Sequence, residues 1–387
     1  MLDTVILQIP IEYFAIIDHS QFNPSTKDIL NNPTSFFKYT NNPKKADRES
    51  GIYKPKLTII KRGKKIYLKI EFSVPKLLFG NNLNEIEESD FDRAVSKLRK
   101  TIEEMGVRLW TFEIEKAEVL GFHPSKNILL SKGYTSSFAI RELSKINLNQ
   151  KLDLERVSFR NDGESIQLYA NRHSLVLYDK INDLNKLAKR AIDKDQIKPQ
   201  LDLFDYIKRE KRNLEVLKLE VRLSHKTKIM EILEKVGFTD TPLFKNIFKK
   251  DLCQKIVKLY WDKFFGNNLF LFSVNNNPQK ILQRILMRYP KTNIRTTVML
   301  VGLYQLCKDE EGIRGFRDIA KNYRPKTNWI MLGNYLRRFE DEIFIKPTHG
   351  FIKDIERNLN EFTVFGHSQD VPEHFWDDSE LLEVIRS

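Results

Sequence analysis

With 387 residues, 41% of them hydrophobic and 30% charged, the chain is long enough for two ordinary domains with real cores and too apolar to be disordered. Its 65 Lys and Arg against 52 Asp and Glu leave a formal charge of +13, which favours polyanions such as nucleic acid or an acidic membrane surface, while a basic soluble protein without such a partner stays open on charge alone. Cys253 and Cys307 are the only cysteines and form no CxxC, so neither a disulfide framework nor a zinc ribbon is supported and a reducing compartment fits. The opening residues do not read as a signal peptide, and no apolar run reaches the ~18 residues a membrane span needs.

Residues 4–9 alternate and predict a first strand of the core sheet. Residues 20–55, rich in Asn, Pro, Ser and Lys, predict a long polar excursion, mobile or moulded onto a partner. Residues 56–61 and 65–74 predict a hairpin about Arg62-Gly63, followed by a breaker-rich turn at 76–82. Residues 90–105 predict a helix whose Phe91, Ala94, Val95, Leu98 and Ile102 share one face, stopped by Gly106. Residues 107–122 predict mostly strand, 136–144 a short helix, and 152–159 with 165–169 a hairpin turned at Asn161-Asp162-Gly163.

Residues 171–180, Asn171 to Lys180, continue as a third strand carrying Tyr178 among cations, His173 and Asp179. Helix is predicted at 180–191, strand at 214–223 and helix at 226–236. Beyond residue 240 strands become scarce. Helices fit 251–265, 279–288, 295–308, 312–321 and 326–339, with one short strand at 342–346 and an acidic stretch from His367. The fold class expected is α+β. A mainly antiparallel sheet fills a domain over 1–240, a helical domain follows over 241–366, and 367–387 form an acidic tail.

The chain contains no GxxxxGK[ST], GxGxxG after a strand, GxSxG or HExxH, so nucleotide hydrolysis, dinucleotide binding and the common hydrolases lack support. What remains is a tyrosine with cations and carboxylates on neighbouring strands. In a strand Tyr178 and Lys180 project to one face, and His173 to the other. A free phenol is a poor nucleophile at neutral pH unless a cation or metal favours phenolate. Glu118 and Glu220 sit mid-strand among apolar residues, where an acid needs a partner, and Arg222 shares a face with Glu220. Each residue has a plainer reading: Tyr178 as a half-buried aromatic, Tyr169 as an equal rival, Glu118 and Glu220 as strand acids paired with Lys116 and Arg222, His123 as a turn residue before Pro124.

Four stretches in order resemble the gene II/gene X replication initiators of filamentous phages and related plasmids. They are Leu2–Pro10; residues 70–80, IEFSVPKLLFG; Lys116-Ala117-Glu118; and Arg172-His173 with Tyr178 and Lys180, then Leu219-Glu220-Val221-Arg222. No single motif is specific; the ordered set over about residues 1–240 carries the likeness. It implies an HUH-like domain that nicks one strand of a rolling-circle origin through a tyrosine, becomes linked to the 5′ phosphate, leaves a 3′-OH primer and later rejoins the displaced strand. The matching tyrosine is Tyr178. The chain lacks the histidine pair of HUH nucleases, so the expected ligands of Mg²⁺ or Mn²⁺ are Glu118 and Glu220 with His123 third, while Lys180 and Arg222 stabilise charge.

The resemblance implies origin DNA as partner, with host helicase and polymerase, in the cytoplasm of a bacterial host and with no membrane. Origin recognition is expected from a helix-turn-helix over 312–338 with 342–346 as a wing, where Lys326, Asn328, Arg337 and Arg338 face DNA, helped by Arg172; two ordinary bundle helices are the plainer reading. The other class of function is a non-catalytic DNA-binding copy-control protein in which Tyr178 is core, with an RNA-binding protein ranked last.

Overall fold

The computed structural model describes residues 1–27, 29, 36–44, 47, 52–146, 154–160, 165–185, 214–309, 311–324 and 329–365. Its strands are β1 (Leu2–Pro10), β2 (Ala15–Ile16), β3 (Phe36–Asn41), β4 (Lys56–Arg62), β5 (Lys65–Ser73), β6 (Val107–Arg108), β7 (Glu118–Leu129), β8 (Leu154–Arg160), β9 (Ser165–Ala170), β10 (His173–Asp179) and β11 (Val216–Leu223). Nine of them form one sheet in the order β3-β4-β5-β1-β7-β11-β10-β9-β8, and every neighbouring pair is antiparallel. Two meanders flank a centre of β1, β7 and β11, three strands far apart in sequence. The fold is α+β, with a helical region after the last strand.

Alternation decides which face is core. In β1, Val5, Leu7 and Ile9 are buried while Thr4, Ile6 and Gln8 are half-buried. The buried face merges with the apolar stripes of Phe91–Glu104, Lys250–Phe264 and Gly350–Glu361 into one hydrophobic cluster. Residues before and after 240 share that cluster. Tyr260 of Lys250–Phe264 meets His173 of β10 at 2.6 Å, and Asp354 accepts from the Ser131 backbone at 2.8 Å just past β7. His173 therefore stands on the helix side of β10, opposite to Tyr178, as alternation requires.

Several local expectations are corrected. The polar excursion contains β3, which pairs with β4 at the sheet edge. The turn expected at 76–82 is helical as far as Phe79, in a helix Val74–Phe79 closed by Gly80 at φ 72°. The strand expected over 107–122 is split into β6, the helix Thr111–Glu115 and the start of β7, which runs on to Leu129. The wing strand expected at 342–346 is a helix, Glu342–Ile345, capped where Asp341 accepts from the Ile343 backbone at 3.3 Å. Residues 186–191 and the acidic tail lie outside the described residues.

Burial lowers the pKa of His173 to about 4, with Lys228 and Lys263 adding repulsion and Glu231 opposing them. An unfolded histidine titrates near ~6.5, so the unfolded chain binds this proton first as pH falls. The stability from keeping His173 neutral is full above that value and is lost as pH falls to about 4. That loss amounts to about 3 kcal/mol. Urea unfolding across this window should show a slope that His173→Gln flattens.

Candidate active site on the polar face of the sheet

The register sets three rows on the face away from the helices. Tyr169 lies opposite Ser174, which lies opposite Arg222, and the same register brings His123 beside Arg222. Gln167, Val176, Glu220 and Ser125 form the next row, and Ser165, Tyr178, Lys218 and Asn127 the third. The signal for this face lies in β11, where Lys218, Glu220 and Arg222 alternate with buried Leu217, Leu219, Val221 and Leu223.

Glu220 is the hub. Its residue is 3% exposed. Its Oε1 accepts from Arg222 Nε at 2.8 Å and lies 3.0 Å from His123 Nδ1. Its Oε2 is the partner of the Tyr178 hydroxyl, which donates over a long 3.4 Å. Burial opposes the charge on Glu220, but Arg222, His123 and Lys218 hold the carboxyl well below the usual range. Tyr178 is pushed the other way: burial, then the negative charges of Glu220, Asp183 and Asp3, raise its phenol well above 10. The resting hydroxyl is protonated, and Glu220 is too weak a base to take its proton. Both tyrosines share this face, and Tyr178 is the one hydrogen-bonded to the carboxylate.

Below Tyr178 the face closes over a buried polar network. Asp3 is ion-paired with Lys218, accepts from Ser73 Oγ at 2.8 Å and from Asn82 Nδ2 at 3.0 Å. A shift of register in β1 between Leu2 and Val5, opposite Pro124 and Phe122, breaks the alternation and lets Asp3 join it. Burial again opposes the charge, yet Lys218 keeps the Asp3 carboxyl low. One step further, Glu85 accepts from Lys126 Nζ and the Asn127 backbone, each at 2.6 Å, and from the Phe365 backbone at 2.9 Å. Sequence reasoning missed Asp3, Lys218, Asn82 and Glu85. Lys218 had a signal, the charged alternation of β11; Asn82 and Glu85 are loop residues with none.

The structure separates the remaining expected residues. Glu118 does not join Glu220: it opens β7 seven positions before Ser125, the residue facing Glu220, and so stands roughly 23 Å away at ~3.3 Å per residue. It pairs instead with Lys226 and Gln8. Lys180 does not share a strand face with Tyr178, because β10 stops at Asp179 and Lys180 begins the helix Lys180–Asn185. Its ammonium is fully buried on the Asn82 carboxamide, with Asp183 at 3.8 Å. His123 lies inside β7, not in a turn.

Arg172 is exposed in the β9–β10 turn at φ 67°. Arg337 is exposed after the helix Trp329–Leu336, whereas Arg338 lies over the Tyr289 and Tyr335 rings at 5.5 and 5.6 Å. Lys326 and Asn328 lie outside the described residues.

Glu220 and His123 are the two expected metal donors that come together, and among the described residues no group of three His, Cys, Asp or Glu side chains is placed to hold a metal ion. Two donors still suit an ion that keeps water and substrate phosphate in its shell. No helix among the described residues is long and apolar enough to cross a membrane. No protein-family model, curated protein or solved structure matches this chain.

The Asp3–Lys218 pair is buried, so removing one partner strands the other charge. Asp3→Asn should cost about 3–5 kcal/mol in chemical denaturation, whereas Glu118→Gln, which breaks an exposed pair with Lys226, should cost under about 1 kcal/mol.

Proposed function

We propose that the chain is a rolling-circle DNA replication initiator, an HUH-like tyrosine endonuclease and strand transferase that nicks origin DNA. The observation that carries this reading is the meeting of the Tyr178 hydroxyl, the Glu220 carboxylate, Arg222 and His123 at one place on the sheet face. It is the constellation a phosphodiester attack needs, and Tyr178, Glu220 and Arg222 stand in stretches where the sequence resembles the gene II/gene X initiators.

In the step proposed, Tyr178 Oη bonds to the scissile phosphorus and the bond from phosphorus to the 3′ oxygen breaks. The phenolic proton ends on that oxygen, leaving a 3′-OH primer and a 5′-phosphotyrosyl linkage. The linkage conserves the phosphodiester energy, so rejoining needs no nucleotide hydrolysis, in keeping with the missing phosphate-binding loop. Glu220 orients the phenol and Arg222, 36% exposed in its side chain, neutralises charge that develops on the phosphate. Mg²⁺ or Mn²⁺ held by Glu220 and His123 would supply the positive charge that lowers the phenol's pKa and screens the attacked phosphate. Lys180 acts here through Asn82 and the buried network, as a positioning residue.

A second reading, a DNA-binding copy-control protein without chemistry, draws on one fact: burial and Glu220 hold the Tyr178 proton tightly. Incubating supercoiled origin plasmid with the protein separates the two. The initiator reading expects nicked circles and a covalent DNA adduct that EDTA abolishes. It expects both to vanish in Tyr178→Phe with origin binding retained, while Tyr169→Phe stays active. An adduct persisting in Tyr178→Phe transfers the role to Tyr169, and no nicking by the wild-type chain under any divalent ion leaves the binding reading.

A further inference from the structure

The helix Ile294–Lys308 is apolar on both sides. Thr297, Leu300, Leu303, Tyr304 and Cys307 are buried against its neighbours. On the opposite side Ile294, Val298, Gly302 and Leu306 follow one another at intervals of four, and the three side chains are 66%, 59% and 50% exposed. An added Cβ on Gly302 would meet nothing within 4 Å. Arg295 and Lys308 are the helix's only charged residues. Single exposed apolar residues are ordinary; a continuous row on a helix that is apolar all round marks a surface another element covers.

We propose that this row is the contact by which two copies of the chain associate, their Ile294–Lys308 helices packed antiparallel about a two-fold axis at Gly302. Glycine at the crossing lets the two backbones approach closely. About that axis Val298 of one copy meets Leu306 of the second and Arg295 meets Asp309, so next to the crossing apolar faces apolar and cation faces acid, while Ile294 falls at the rim opposite position 310, a glutamate in the sequence. The pattern is therefore self-complementary, as a two-fold interface requires. The antiparallel helix dipoles add to the pairing. The formal charge of +13 repels the copies at long range, so screening by salt should tighten the association.

Sedimentation of the full chain tests this. The expected result is a reversible dimer that strengthens with salt. Val298→Glu, and Leu306→Glu as a second variant, should weaken it by roughly tenfold or more without lowering the melting temperature of the fold. Gly302→Cys should form a disulfide with its counterpart under mild oxidation, since Cys253 and Cys307 are buried. Three outcomes overturn the proposal: a chain monomeric at every concentration, a dimer indifferent to both glutamate variants, or a Gly302→Cys chain that does not cross-link. If the chain's own acidic residues 367–387 cover the row instead, the full chain stays monomeric and the proposal fails.

Discussion

A carboxylate that is nearly shut off from water governs the middle of this sheet. Glu220 keeps its charge only because Arg222, His123 and Lys218 surround it, and each of those side chains is placed by a strand register. Removing the sheet's central order, β1-β7-β11-β10, would scatter the charges and make each one costly. The same reasoning explains why Asp3, in the first strand, and Lys218, in the last, lie together across 215 positions of sequence. The polar face is thus a long-range construction, and its electrostatics and its topology stand or fall together.

That construction also fixes the state of the tyrosine. A buried phenol beside a carboxylate, with Asp183 and Asp3 adding negative charge, holds its proton. Ionising it would need added positive charge, and the partly exposed side chains of Arg222 and His123 mark the side from which such charge could approach. On the other side Asn82 donates to Asp3, and Glu85 accepts from the Phe365 backbone, so the face ends in a buried polar network.

Much of the fold was legible because alternation is a local signal. β1, β4, β5, β9, β10 and β11, and the helices Phe91–Glu104, Lys226–Lys235 and Ile294–Lys308, fall where the pattern places them. Two candidates were misplaced for identifiable reasons. Lys180 follows Tyr178 by two, but Asp179 accepts from the Asn182 backbone at 2.9 Å and starts a helix there, so strand periodicity ends one residue too soon. Glu118 looks mid-strand only if 107–122 is one strand; the helix Thr111–Glu115, with exposed Phe112, breaks it and leaves Glu118 at a strand end near solvent.

The residues that the pattern missed share a physical cause. Asp3 enters the network through a register shift, which alternation cannot foresee, and Asn82 and Glu85 come from a loop whose role depends on what it covers. A buried charge advertises that a partner exists without naming it. Glu220 was recognised as an acid in need of company, the local pattern supplied Arg222, and the resemblance implied His123 as a third ligand; Lys218 required the sheet order. Local sequence therefore identifies the side chains that bear electrostatic cost, and topology alone tells which others relieve it. In this protein the relief is so complete that the carboxylate is better suited to holding and orienting a phenol than to deprotonating it.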